Sequence, residues 1–89
     1  MQKRKVVLNN EDGLHARAAA LFVQVANKFS CHVYIELDGR KVSGKSIIGV
    51  MSLGAFSGDE ITIITNGIDE KEAIEELTNL IAKDLKDLI

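Results

Sequence analysis

The residues in this chain best suited to chemistry are His15 and Arg17, one alanine apart and preceded by Gly13 in the run Asp12-Gly-Leu-His-Ala-Arg-Ala18. An imidazole offers a nucleophilic ring nitrogen, and a guanidinium offers a fork of N–H donors matched to an oxyanion. Their setting adds to this. Lys5-Val-Val-Leu-Asn9 has the apolar density of a strand, Gly13 is a turn residue, and the Ala-rich run from Ala16 to Ala26 is a strong helix former, so His15 falls at or beside a helix N-cap. The first turn of a helix leaves N–H groups unpaired and carries partial positive charge, so an anion beside His15 would be held by amides and by Arg17. The same field disfavours the imidazolium and so favours a neutral, nucleophilic His15. The combination suits a phosphoryl group that is accepted and then handed on; the plain alternative is a surface histidine that only caps a helix.

The remaining elements follow from periodicity. His32-Val-Tyr-Ile-Glu-Leu37 reads as a strand, Asp38-Gly39 as a two-residue hairpin, and Arg40-Lys-Val-Ser43 as a short polar return arm suited to a sheet edge. The period then changes: Ser46 precedes Ile47, Ile48, Val50, Met51 and Leu53, a short apolar helix with Ser46 as N-cap and Gly54 as its stop. So short a helix cannot bury every side, which leaves some of Ile47, Ile48 and Met51 exposed. Residues 59–66 are a further strand closed by Asn66-Gly67, and apolar residues at 73, 74, 77, 80, 81 and 85 mark a long amphipathic helix starting at Asp69. Asp69, Glu70 and Glu72 complement its dipole and otherwise read as a solvated face. The order βαββαβα, with one apolar face per helix and half-buried strands, predicts an α+β two-layer open-faced sandwich: a four-stranded antiparallel sheet with its helices on one face and water on the other.

Eighty-nine residues at 46% hydrophobic predict one domain over 1–89 with one modest core. A net charge of −2 argues against nucleic acid or an anionic membrane surface as the main partner and leaves proteins or small anions. No run is long and apolar enough for membrane insertion, and the basic start lacks a following apolar stretch, so a cytoplasmic location is expected. Cys31 is the single cysteine and reads as a small buried or strand-end residue; His32 beside it points to the opposite face of a strand, so no metal pair is expected. Gly39-Arg-Lys-Val-Ser-Gly-Lys-Ser46 matches the phosphate-loop pattern of nucleotide hydrolases letter for letter. Its context argues against that reading, because a parallel sheet, a long following helix and a second strand ending in a metal-binding Asp do not fit in the remaining chain.

Gly-Leu-His-Ala-Arg-x-Ala-Ala, followed about thirty positions later by Lys45-Ser-Ile-Ile-Gly-Val-Met-Ser-Leu-Gly54, resembles the HPr family, the histidine phosphocarriers of the bacterial sugar phosphotransferase system, in its Gram-positive form. The resemblance spans the chain and implies the same open-faced sandwich. It implies that His15 is phosphorylated on Nδ1 by phosphorylated enzyme I and passes the group to IIA domains of sugar transporters, with no cofactor and no catalysis of its own. Arg17 would neutralise the phosphate, and amides near Ala16 and Arg17 would receive its oxygens. It further implies that Ser46 is a regulatory site for HPr kinase/phosphorylase, that Ile47, Ile48 and Met51 dock partners, and that the Ser46-phosphorylated form binds a catabolite-control transcription regulator.

Two positions depart from the family pattern. Ala18 stands where proline is usual, and Asp12 where Asn, Ser or Thr is common. Asp12 would stabilise a cationic His15 but repel a phosphate. With His15 as N-cap, the Ala18 N–H is expected to lack a helical partner, so proline there should stabilise the fold, unless that N–H is bonded to the His15 carbonyl or to a nearby side chain, in which case proline would destabilise it. The departures also raise an alternative: a catabolite-repression HPr-like regulatory paralogue that works mainly as a binding module through phosphorylated Ser46.

Overall fold

The computed structural model describes residues 1–9 and 12–84. Its first strand, β1 (Gln2–Val7), begins earlier than the apolar run alone predicts. The reason lies in its partners. Even-numbered β1 residues face the helices, where Gln2 Nε2 donates to Glu70 at 3.3 Å and Arg4 lies 3.8 Å from the Glu75 carboxylate, so polar side chains are accommodated at an edge strand that apolar density does not reveal. The next elements match their expected bounds: α1 (Ala16–Ala26), β2 (His32–Leu37) and β3 (Arg40–Ser43). The short helix α2 (Ile47–Ser52) is capped by Leu53 and stopped by Gly54, and β4 spans Glu60–Asn66.

The last helix, α3 (Glu70–Asn79), is shorter than its periodicity suggests, because the chain widens into a π-helical segment, Leu80–Asp84. Leu80 and Ile81 nevertheless stay buried; Leu85, the last apolar position expected for this helix, lies outside the described residues. The phosphate-loop match dissolves in the same way. Asp38 (φ 51°) and Gly39 (φ 84°) are both left-handed, as a two-residue hairpin turn requires, and the next four residues of the motif are strand β3.

The four strands form one antiparallel sheet in the order β1-β4-β2-β3, with three helices and the π-helical segment among the described residues. This is the expected open-faced sandwich. In β4, Ile61, Ile63 and Thr65 point to the helices and pair in register with Val6, Arg4 and Gln2 on one side; Ile35 and Val33 lie opposite Ile63 and Thr65 on the other. Helix α1 buries Ala18, Ala19, Phe22 and Ala26, and α3 buries Ala73, Ile74 and Leu77 against this face. Small alanines bring α1 close, while Phe22, fully buried, contributes on the order of 1.5–3 kcal/mol. The outer face carries Lys3, Lys5, His32, Tyr34 and Lys41, with the Lys41 ammonium 5.0 Å from the Tyr34 ring centre. Ile64 is the exception there: it is buried on the outer face, in register between Lys3 and Tyr34.

The acidic start of α3 is more than a solvated face. Asp69 accepts from the backbone N–H groups of Ser30 and Cys31 at 2.8 and 2.9 Å, which ties the α1–β2 turn to α3 and holds its carboxyl below the usual range, the Ser30 bond being the larger cause. Glu70 accepts from the Met1 ammonium at 2.7 Å and from the Gly67 N–H at 3.0 Å, pinning the start of β1 to the β4–α3 turn. The Met1 ammonium, followed by the Gly67 N–H, pulls the Glu70 carboxyl from 4.5 down to about 2. A carboxyl depressed on folding adds stability that is present above its unfolded value and is lost as the pH falls toward its folded value. Glu70→Gln should therefore lower the denaturation midpoint at neutral pH and remove part of the fall in stability between pH 4.5 and 2, measured by urea unfolding across that window.

Candidate functional site

His15 is the N-cap of α1, with extended backbone (φ −127°, ψ 150°) and an exposed imidazole that makes no capping bond. Arg17, two residues further on, is exposed as well. Between them Ala16 has φ 44°, a left-handed conformation in a residue with a Cβ, which costs about 1–2 kcal/mol and must be held by its surroundings. Much of that restraint is visible. The Leu14 N–H donates to the Ala55 carbonyl at 3.0 Å, Leu14 is buried, and Gly13 (φ 63°) sits so close to residues 55 and 56 that a Cβ there would collide with the Ala55 carbonyl oxygen. Among the described residues the N–H groups of Ala16 and Arg17 have no backbone acceptor, and neither the imidazole nor the guanidinium has a hydrogen-bond or ion-pair partner. An exposed imidazole, two open amides and an unpaired guanidinium thus stand at one helix start, an arrangement able to hold a tetrahedral dianion on the ring.

Ser46 is exposed and caps α2, its Oγ accepting from the Gly49 N–H at 3.1 Å. Behind it, the Lys45 Nζ donates to the Phe29 carbonyl at 2.6 Å, and the Asn27 amide donates to the Lys45 carbonyl at 3.3 Å, so the α2 entrance is fastened to the end of α1. Ile47 is 41% and Ile48 78% exposed, whereas Met51 is half-buried against the core and Val50 is buried. Phe56, 70% exposed beside Gly13, was not singled out by the sequence; the only signal was an aromatic between two turn glycines, Gly54 and Gly58.

Cys31 is buried just before β2 and His32 is exposed, on opposite faces as expected. Burial pushes the Cys31 thiol up, and the Asp69 carboxylate beside it adds to the shift. A groove between Phe29 and α3, lined by Lys71, Glu72, Glu75, Glu76 and Asn79, contains none of the residues chosen from the sequence.

Fold and site together define a small open-faced sandwich that displays a histidine at a helix N-terminus. A family model described as the PTS HPr component phosphorylation site matches residues 2–83, and the chain belongs to the HPr family. It is 51% identical over 84 residues to the HPr-like protein Crh of Halalkalibacterium halodurans, covering 94% of this chain and all of that protein, and 47% identical to Crh of Bacillus subtilis over 96% of this chain and all of the relative. Among solved structures it resembles HPr-C-His of Thermoanaerobacter tengcongensis, with a TM-score of 0.90, 48% identity and 92% of each chain covered. It also resembles a swapped dimer of Bacillus subtilis Crh, with a TM-score of 0.76 and 48% identity over 94% of this chain and 97% of that one. HPr-family proteins are phosphocarriers with phosphotransferase-system partners. No helix among the described residues is long and apolar enough to cross a membrane.

The α1 start corrects one expectation. The Ala18 N–H is not free: it donates to the His15 carbonyl at 3.1 Å. Proline would remove that bond, worth about 1 kcal/mol, and add ring atoms at a fully buried position, against a gain of about 0.4–1 kcal/mol from a stiffer unfolded chain. Ala18→Pro is accordingly expected to lower the unfolding free energy by up to about 1 kcal/mol, seen as a lower urea midpoint with an unchanged slope, and a raised midpoint would contradict this account of the helix start.

Proposed function

We propose that residues 1–89 form a single phosphocarrier domain in which His15 accepts a phosphoryl group on Nδ1 from phosphorylated enzyme I and passes it to IIA domains of sugar transporters, in the cytoplasm. The observation that carries this reading is the exposed His15 at the α1 N-cap, beside the open amides of Ala16 and Arg17 and the free Arg17 guanidinium. Phosphoryl transfer asks little covalent chemistry of a protein and much positioning, so the chain is carrier rather than enzyme. The ring nitrogen attacks phosphorus in line, the bond between phosphorus and the donor group of enzyme I breaks, and the dianion comes to rest against the two amides and Arg17. In the reverse half it leaves for the next histidine along the same line. The Ala16 and Arg17 amides hold the charge without neutralising it fully, which keeps the group transferable.

Ser46 serves on this reading as the target of HPr kinase/phosphorylase. The modified face, with Ile47, Ile48 and Met51, would dock enzyme I and, once phosphorylated, a catabolite-control transcription regulator. A second reading, a regulatory paralogue acting chiefly through phosphorylated Ser46, is favoured by the likeness to Crh and by the exposed, preformed Ser46 cap. Retention of both His15 and Arg17 favours the carrier.

Incubation with phosphoenolpyruvate and enzyme I should add one acid-labile phosphoryl group, read by mass, and His15→Ala should abolish it while keeping the fold. Labelling of that variant at the wild-type level would sink the carrier mechanism. Ser46→Asp should retain α2, since Asp also caps, yet slow acceptance from enzyme I through charge on the docking face, most visibly at low salt. Equal transfer rates for wild type and Ser46→Asp under those conditions would speak against a shared surface.

A further inference from the structure

The backbone that leads into His15 is gripped by a distant part of the chain, residues 55–59. Leu8 and Leu14, on the N-terminal side of His15, are both buried. The Leu8 N–H donates to the Asp59 carbonyl at 2.9 Å, and the Gly58 N–H donates to the Leu8 carbonyl at 2.7 Å. The Leu14 N–H donates to the Ala55 carbonyl, with Gly13 seated against residues 55 and 56. Leu8 and Leu14 therefore both hang on residues 55–59. That segment is a turn closed twice: the Asp59 N–H donates to the Phe56 carbonyl at 3.0 Å, and the Asp59 Oδ2 accepts from the Phe56 N–H at 2.8 Å. The carboxylate of Asp59 is the one side chain in this set of bonds.

We propose that Asp59 is a positioning residue for phosphoryl transfer at His15, acting through the 56–59 turn beside which Leu8 and Leu14 are held. The inference rests on the carrier reading of His15. Its physical basis is the left-handed Ala16: a strained backbone persists only where neighbouring contacts over-determine it. Loosening the turn frees Ala55 and Gly13 to shift and lets residues 14–16 relax toward an ordinary helix start. That turns the imidazole away from the Ala16 and Arg17 amides. Small displacements of a reacting group are costly in transfer reactions, whereas the docking residues Ile47 and Ile48 belong to another element and stay in place.

The test compares wild type, Asp59→Ala and Asp59→Asn as full chains, in two measurements. The first is the rate of His15 phosphorylation by phosphorylated enzyme I; the second is amide hydrogen exchange at Phe56 and Leu14 in the unphosphorylated protein. Asp59→Ala should lower kcat about tenfold with KM for the carrier changed less than about twofold, and should speed exchange at both amides. Asp59→Asn keeps a carbonyl acceptor for the Phe56 N–H and should restore both. A wild-type rate in Asp59→Ala overturns the inference, and so does an Asp59→Asn as impaired as Asp59→Ala, which would assign the effect to charge. If wild type itself accepts no label, the carrier reading fails; unchanged Leu14 exchange in Asp59→Ala would then overturn the clamp independently.

Discussion

The insertion of β4 between β1 and β2 is the constraint on which the rest of the molecule depends. A late segment of the chain pairs with an early one, Val6 opposite Ile61 and Val7 opposite Glu60, and the ladder continues past the strand end through Leu8 and Asp59. Because the pairing is antiparallel, the end of β1 lies beside the beginning of β4, so the turn before β4 arrives next to the loop after β1. Remove β4 and the sheet loses its centre, β1 becomes an unpaired strand, and His15 loses its support. The chemistry of the N-terminal motif is thus secured by residues more than forty positions away.

That dependence explains how a histidine with no hydrogen bond of its own can have a defined place. The imidazole is free, but the backbone carrying it is fixed on both sides: by the Leu14–Ala55 bond before it and by the Ala18–His15 bond after it. Ala16 between them is left-handed, and among the described residues its own N–H and that of Arg17 have no backbone acceptor. A relaxed helix start would direct those amides along the helix axis; the left-handed residue is what separates this start from an ordinary first turn.

Much of this was legible in the sequence, for identifiable reasons. The hairpin at Asp38-Gly39, the bounds of α1, β2 and β3, and the Ser46 cap are local features in which side-chain type dictates φ and ψ within a few residues. The start of β1 was not legible, because an edge strand whose inner positions are Gln2 and Arg4 lacks the alternation that marks a half-buried strand. Asp69 and Glu70 looked like dipole-complementing surface acids; their real partners, Ser30, Cys31, Gly67 and Met1, are reached through the fold. The sequence left the Ala18 N–H open between no helical partner and a bond to the His15 carbonyl, because a tight i to i+3 bond at a helix start depends on the backbone angles of Ala16, which no propensity for alanine would suggest.

The two helix starts that the family resemblance ties to phosphate are built in opposite ways, and the difference bears on what each can do. At α2 the Ser46 hydroxyl already satisfies the Gly49 N–H, so an added phosphate keeps Oγ in place as acceptor and contributes its extra oxygens and charge outward, over exposed Ile47 and Ile48. The helix is insensitive to the change and the surface is not. At α1 the cap side chain satisfies nothing, and two amides wait beside Arg17. A phosphoryl group arriving there fills unmet hydrogen bonds, so its stability on the ring is set by how well the backbone aims those amides. A preformed cap suits a mark read by others, whereas an unfilled one suits a load that is taken up and let go.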